Sequence, residues 1–219
     1  MMIDGYSGQE HSFPIFPLYK DVVHLTAETG ITYTPTLLVS CGGPFGEGYF
    51  LTRENPHDDE KLRRFTPHSV IDDRTRRRST GGAGWFLEEE HVFQEHAKVV
   101  KAVLEAGGRA GVGYHWDLWA MASGGLNEHD ALRAATIYGA ESIGLGNKVG
   151  TLEVGKLADL VVLNANPLED LRNTNTIRYV MKNGHLYEGD TLNEIWPRER
   201  AFAPQMQDDP SSDLKAGIR

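Results

Sequence analysis

The chain has 219 residues, of which 40% are hydrophobic and 24% charged, ordinary globular values that allow one large domain or two small ones. A formal net charge of −9 excludes nucleic acid and anionic membrane as main partners, because binding phosphate needs a concentrated basic surface.

The start, Met-Met-Ile-Asp-Gly-Tyr, has neither the basic n-region nor the apolar h-region of a signal peptide, and no apolar run approaches the ~18 residues of a membrane helix. A cytoplasmic location is the default expectation. Residues 18–29 place Leu18, Val22 and Leu25 on one helical face with Gly30 as the stop, and residues 31–39 then read as a strand. Cys41 is the single cysteine. It cannot form an internal disulfide, and without a neighbouring His or Lys it reads as an unactivated thiol.

Residues 42–84 turn to Gly, Pro, Asp and Arg with little periodicity, which suggests a lid or insertion over a site. Within it, His57, Asp58 and Asp59 read as solvated loop. So does the basic run from Arg74 to Arg78, which Asp72 and Asp73 offset. A helix is expected from Glu88, with Val92, His96, Val99 and Val103 as its apolar stripe. His91 and His96 share that helix, yet five residues separate them by about 140°, so they cannot hold one ion together. His96 lies on the stripe and reads as a core histidine.

Residues 109–113 form a short strand candidate and residues 116–122 a further element. Asn127 caps a helix expected to run through Tyr138, with Asp130 placed to reach back. Strands alternating with helices imply parallel β/α architecture. After Gly150 the character changes to short strands at 160–163, 177–181 and 186–187. Asn183-Gly184 between the last two signals a type I′ hairpin. Residues from about 200 onward are too polar and Pro-rich to order themselves.

Two motifs then carry a resemblance. Residues 150–163 read Gly-Thr-Leu-Glu-Val-Gly-Lys-Leu-Ala-Asp-Leu-Val-Val-Leu, continuing to Val-Met-Lys-Asn-Gly-His-Leu-Tyr at 180–187. Ahead of them stand Ala-Leu-Arg-Ala-Ala-Thr at 131–136 and Gly-Ala-Glu-Ser-Ile-Gly at 139–144. In this order they resemble the C-terminal part of the amidohydrolase superfamily. Tyr-His-Trp-Asp-Leu-Trp at 114–119 narrows the resemblance to a bacterial branch often fused to a TolB-type β-propeller. The resemblance implies a metal-dependent hydrolase of C–N bonds, with a divalent metal, zinc, acting on a small amide or cyclic amide. It implies a (β/α)8 barrel beside a small β-domain.

On this chain the implied α/β architecture becomes a partial (β/α)8 barrel over 1–145, interrupted by the 42–84 insertion. A small β-sandwich-type module follows over 146–190, and a tail over 191–219 is expected to be disordered from about 200. His11 matches the family's strand-six histidine and is the metal-ligand candidate, although a lone histidine by itself reads as structural. Tyr114 and His115 are placed to border the substrate pocket. Asp159 and Gly155 belong to the module's turn and read as structural.

About three strand candidates stand where a barrel needs eight. None of the nine histidines forms a His-x-His pair, and Gly111-Val-Gly113 runs into Tyr114 where the family has its eighth-strand aspartate. Asp117 matches the acidic residue on the following helix. The expectation is therefore a C-terminal portion, inactive by itself, completed by an N-terminal half or by self-association. The alternative is a noncatalytic truncated homologue serving as a binding or assembly module.

Overall fold

The computed structural model describes residues 2–40, 43–79, 86–113 and 115–203. Cys41, Tyr114, residues 80–85 and the tail beyond 203 lie outside them. The chain begins with β1 (Gly8–Glu10), α1 (Lys20–Glu28) and β2 (Thr32–Thr34). Strand β3 (Arg109–Ala110) joins them in a parallel sheet of order β1-β2-β3. The strand expected over 31–39 is cut short for a physical reason. Pro35 has no N–H to continue the ladder, Thr36 takes a left-handed φ of 50°, and Leu37–Val39 then curls into a 3₁₀ turn.

Helix α5 (Phe93–Glu105) supplies the largest apolar face, burying Phe93, Ala97, Val100 and Val103 at i, i+4, i+7 and i+10. His96 is buried with them, as its place on the stripe implies, edge-on to the Phe16 ring at 5.0 Å. The three glutamates form a separate 3₁₀ turn, Glu88–Glu90, so His91 is not on the helix of His96 as expected. The buried face of α1 also differs from the expected one. Val23, Thr26 and Ala27 point inward, while Leu25 is 38% exposed. Small side chains let α1 pack closely on the turn after α5, where a Cβ on Gly108 would stand 3.0 Å from the Ala27 Cα.

The remaining helices are α6 (His115–Ser123), α7 (Glu128–Ala134) and α8 (Ile137–Ser142). The Asn127 side chain caps α7, accepting the Asp130 N–H at 2.9 Å, as anticipated. The helix expected through Tyr138 is instead broken at Thr136, whose φ and ψ of −130° and −93° interrupt the ladder.

The insertion is helical rather than loop. It contains α2 (Gly46–Arg53), a 3₁₀ turn at Pro56–Asp58, α3 (Glu60–Phe65) and α4 (His68–Ser79). Asn55 and Asp59 cap the second and third of these, so the basic run lies on a helix and not in a solvated loop. Its helices form without a strong apolar stripe because they dock elsewhere. Phe50 of α2 stacks on Trp116 of α6 at 5.6 Å, and Lys61 of α3 pairs with Asp190 at 2.9 Å.

Strands β4 (Leu160–Leu163), β5 (Ile177–Lys182), β6 (His185–Glu188) and β7 (Glu194–Trp196) form one antiparallel sheet in sequence order. Asn183 and Gly184 have φ of 51° and 79°, both positive as the type I′ turn requires. Asp159 fastens this hairpin, accepting from the Asn183 N–H at 2.5 Å and from the Lys182 ammonium. Among the described residues this single sheet is what stands where a sandwich-type module is expected. Strand β7 was not legible in the sequence. It is held by the buried Glu194 carboxylate, which accepts from His185 Nδ1 at 2.6 Å and pairs with Arg200 Nε at 3.1 Å. The His185 hydrogen bond holds the Glu194 carboxyl below its ordinary range.

Helices α5 and α6 meet at Gly124, where a Cβ would stand 2.3 Å from the Ala97 carbonyl carbon and 2.6 Å from the Lys98 nitrogen. Gly124→Ala should force these backbones apart and lower unfolding free energy by ~1–3 kcal/mol. Equilibrium denaturation of the variant beside the parent chain measures it.

Candidate functional site

The parallel strands end on one side of their sheet, the side where active sites gather in β/α barrels. His11 follows β1 directly. Its N–H donates to the Thr34 carbonyl at 2.8 Å, extending the ladder by one bond, while φ of 69° turns the chain and leaves the side chain exposed. The next residue fixes that turn, with Ser12 Oγ donating to the Pro35 carbonyl at 2.8 Å and lying 3.1 Å from Ser40 Oγ. Below it Tyr33 of β2 is fully buried. It stacks on Phe13 at 4.9 Å, and its hydroxyl accepts the Phe13 N–H at 3.2 Å. Burial pushes the Tyr33 phenol up to about 12.

A small depression opens at the ends of β2 and β3, lined by Thr34, Thr36, Leu37, Gly111, Gly113 and Asp117 among others. Asp117 is its one carboxylate. The side chain is 5% exposed and accepts the Leu38 N–H at 3.1 Å, so it caps the 3₁₀ turn after β2. Burial pushes its pKa up, and the backbone donors of Leu38 and Leu37 oppose that shift.

His115 opens α6 with an exposed side chain, its ring 6.1 Å from that of Trp119. It is not among the residues lining the depression. Trp119 faces the other way, donating from Nε1 to the Leu171 carbonyl at 3.3 Å and Thr174 Oγ1 at 3.2 Å beneath the Arg172 guanidinium. His91 is buried against the Tyr49 ring at 5.1 Å, and desolvation holds its pKa below the usual histidine value.

Among the described residues, His11 belongs to no group of three or more side chains that could hold a metal. Asp117 directs its carboxylate at backbone donors. A hydrolytic metal centre of about three or four converging ligands therefore does not fit the side chains this chain places at the mouth. One group that could hold a metal lies elsewhere, in the insertion. His57, His68 and Asp72, all half-buried, bring donor atoms within 4.8 Å of one another. In the sequence His57 stands beside Asp58 and Asp59 in a polar stretch, 11 residues from His68, which hides the group. The usable signal was His68-x-x-x-Asp72, an i, i+4 pair that shares a helix face.

Comparison with known proteins gives this geometry a relationship. Residues 92–187, from α5 to β6, match the amidohydrolase family. An imidazolonepropionase of Symbiobacterium thermophilum is 60% identical over 40 residues, 18% of this chain and 9% of that protein. A 5'-deoxyadenosine deaminase of Methanobrevibacter smithii is 40% identical over 63 residues, 27% of this chain and 14% of that protein. Among solved structures, that of a putative prolidase from Bifidobacterium longum superposes with a TM-score of 0.54 at 23% identity. The match covers 97% of this chain and 46% of the prolidase, and it establishes a common fold. The chain thus spans less than half the length of that structure, and its matched segments a small part of the curated relatives.

The buried Asp117 cap gives a test with a defined sign. Because its folded pKa is raised above the ordinary 3.8, the folded state binds more protons there, and stability falls as pH rises from about 4 through the folded pKa. Asp117→Asn should remove that slope. Asp117→Ala, which leaves the Leu38 N–H without its acceptor, should cost ~1–3 kcal/mol. Urea denaturation of the three proteins at several pH values measures both effects.

Proposed function

We propose that this chain is a member of the amidohydrolase family, whose model matches residues 92–187, and is the C-terminal portion of a metal-dependent hydrolase acting on a C–N bond of a small amide or cyclic amide. The single observation that carries this reading is the family match over residues 92–187, from α5 through β3 of the parallel sheet into β4–β6 of the antiparallel one. Relatives named as an imidazolonepropionase and a deaminase favour C–N chemistry on small molecules. In this reading residues 1–145 are the last part of a (β/α)8 barrel, 146–190 its β module and 191–219 a tail.

His11, at the C-terminal end of β1, is a ligand of the divalent metal, taken as zinc, in the completed enzyme. Tyr114 and His115 border the substrate. A metal in such a centre supplies Lewis acidity and an activated water. The described residues of this chain supply the floor of the mouth, with Asp117 holding the turn after β2 and Ser12 the turn after β1. They contribute no step of hydrolysis alone, and the remaining ligands come from another polypeptide segment.

A second reading, a noncatalytic binding or assembly module, draws on a specific observation. The outer edges of β1 and β3 have no strand partner among the described residues, and Leu25 and Ile143 are exposed at 38% and 69%. Open edges and apolar faces favour association.

The purified chain, supplied with zinc, should turn over no N-acyl amino acid, cyclic amide or aminopurine nucleoside above the buffer rate. Chelator-sensitive turnover that His11→Ala lowers by about a hundredfold or more would show a complete active site and overturn the account of a portion. Sedimentation separates the readings further. A chain that self-associates with no turnover in any assembled form favours the module.

A further inference from the structure

We propose that His57, His68 and Asp72 form a transition-metal site of the zinc class that clamps α4 to the turn preceding α3. None of the three lines the depression at the strand ends, and the proposal does not depend on the functional reading above. The donors come from two elements. His57 lies in the 3₁₀ turn Pro56–Asp58, and the Asn55 side chain orients that turn by accepting the His57 N–H at 3.3 Å. His68 and Asp72 stand one helical turn apart on α4, so their side chains emerge on the same face.

The three donor atoms lie within 4.8 Å of one another. Zinc bonds of 2.0–2.2 Å to nitrogen and oxygen place tetrahedral ligands about 3.3 Å apart, a contraction that rotation of three half-buried side chains can supply. Two imidazoles and a carboxylate are a zinc donor set, and the fourth position falls to water.

An ordinary ion pair explains less of this arrangement. His57 Nε2 stands 3.6 Å from Asp72 Oδ1 and 3.2 Å from Thr75 Oγ1, which by themselves would satisfy one ring N–H. They give no reason for a second imidazole, yet the His68 ring lies 5.1 Å from the His57 ring. Two imidazoles brought to one carboxylate suit a shared cation.

A clamp would add to the docking contacts of a segment that buries few apolar side chains. In residues 43–79, Phe50 and Ile71 are the buried hydrophobic side chains among those described. Phe50 belongs to the contact with α6, which leaves Ile71 to anchor α4. A segment with so small a core is where a metal adds the most to folding.

Cobalt(II) added to the chelator-treated chain tests the site through the visible absorption of tetrahedral Co²⁺, with zinc as competitor and thermal unfolding as a second readout. Saturable binding of one equivalent, displaced by zinc and raising the unfolding midpoint, is expected. His68→Ala and the near-isosteric Asp72→Asn should each weaken binding at least about tenfold and abolish the midpoint shift. The surface variant His129→Ala, whose side chain is exposed, should leave both unchanged. Absence of saturable binding, binding that survives both His68→Ala and Asp72→Asn, or binding lost in His129→Ala would overturn the proposal. Circular dichroism of each metal-free variant checks that a loss of binding is not a loss of fold.

Discussion

The Asp117 carboxylate lies under the ends of β2 and β3 and accepts the Leu38 N–H at 3.1 Å. That one bond joins α6 to the turn after β2 across 79 residues of chain. Two further features depend on it. The 3₁₀ turn Leu37–Val39 keeps its capped start, and that turn in turn packs on α2, α5 and α6. The depression at the strand ends keeps its floor, with Leu37 and Asp117 both in its lining. A carboxylate used this way is poorly disposed to leave for a metal, since its departure would strand a buried donor.

Helix α6 also connects the two sheets. Trp116 stacks on Phe50 of the insertion, and Trp119 donates to Leu171 and Thr174 in the 3₁₀ turn that leads into β5. The insertion closes the same junction from outside, Lys61 pairing with Asp190 and Arg172 with Glu54. The β module is therefore held against the β/α part by a ring of aromatic and charged contacts drawn from three separate regions of sequence. This explains why a polar, weakly periodic insertion folds. Its helices gain from docking what they lack in apolar stripe.

The parts legible in the sequence were those fixed by local chemistry. Asn183-Gly184 demands positive φ twice and so announced its hairpin. The stripe of α5 announced a buried helix, and Asn127 announced the start of α7. Asp159 was rightly taken as structural, since its carboxylate holds the Asn183 N–H. What escaped was set by contacts distant in sequence. The inward face of α1 is Val23, Thr26 and Ala27 because α1 packs on α5 and the Gly108 turn beyond it, which no helical wheel records. Strand β7 exists because Glu194 meets His185 and Arg200. His57 meets His68 and Asp72 only once α4 folds back, so their proximity had no signature beyond one i, i+4 pair. Of the candidate site, His11 directly follows β1, a place the strand pattern ahead of it made legible. The role of Asp117 as a cap needed the structure, because its partner lies 79 residues away.

The central claim is that the strand-end mouth of this chain becomes a hydrolytic centre only with ligands supplied from another segment. Purifying, from the native source, whatever polypeptide or complex carries residues 150–187, and determining its composition, bound metal and C–N hydrolase activity together, tests it most directly. The account predicts an assembly that includes additional barrel strands with a His-x-His pair, holds metal at His11 and is active. This chain alone, active on a C–N bond with no other segment present, would contradict it.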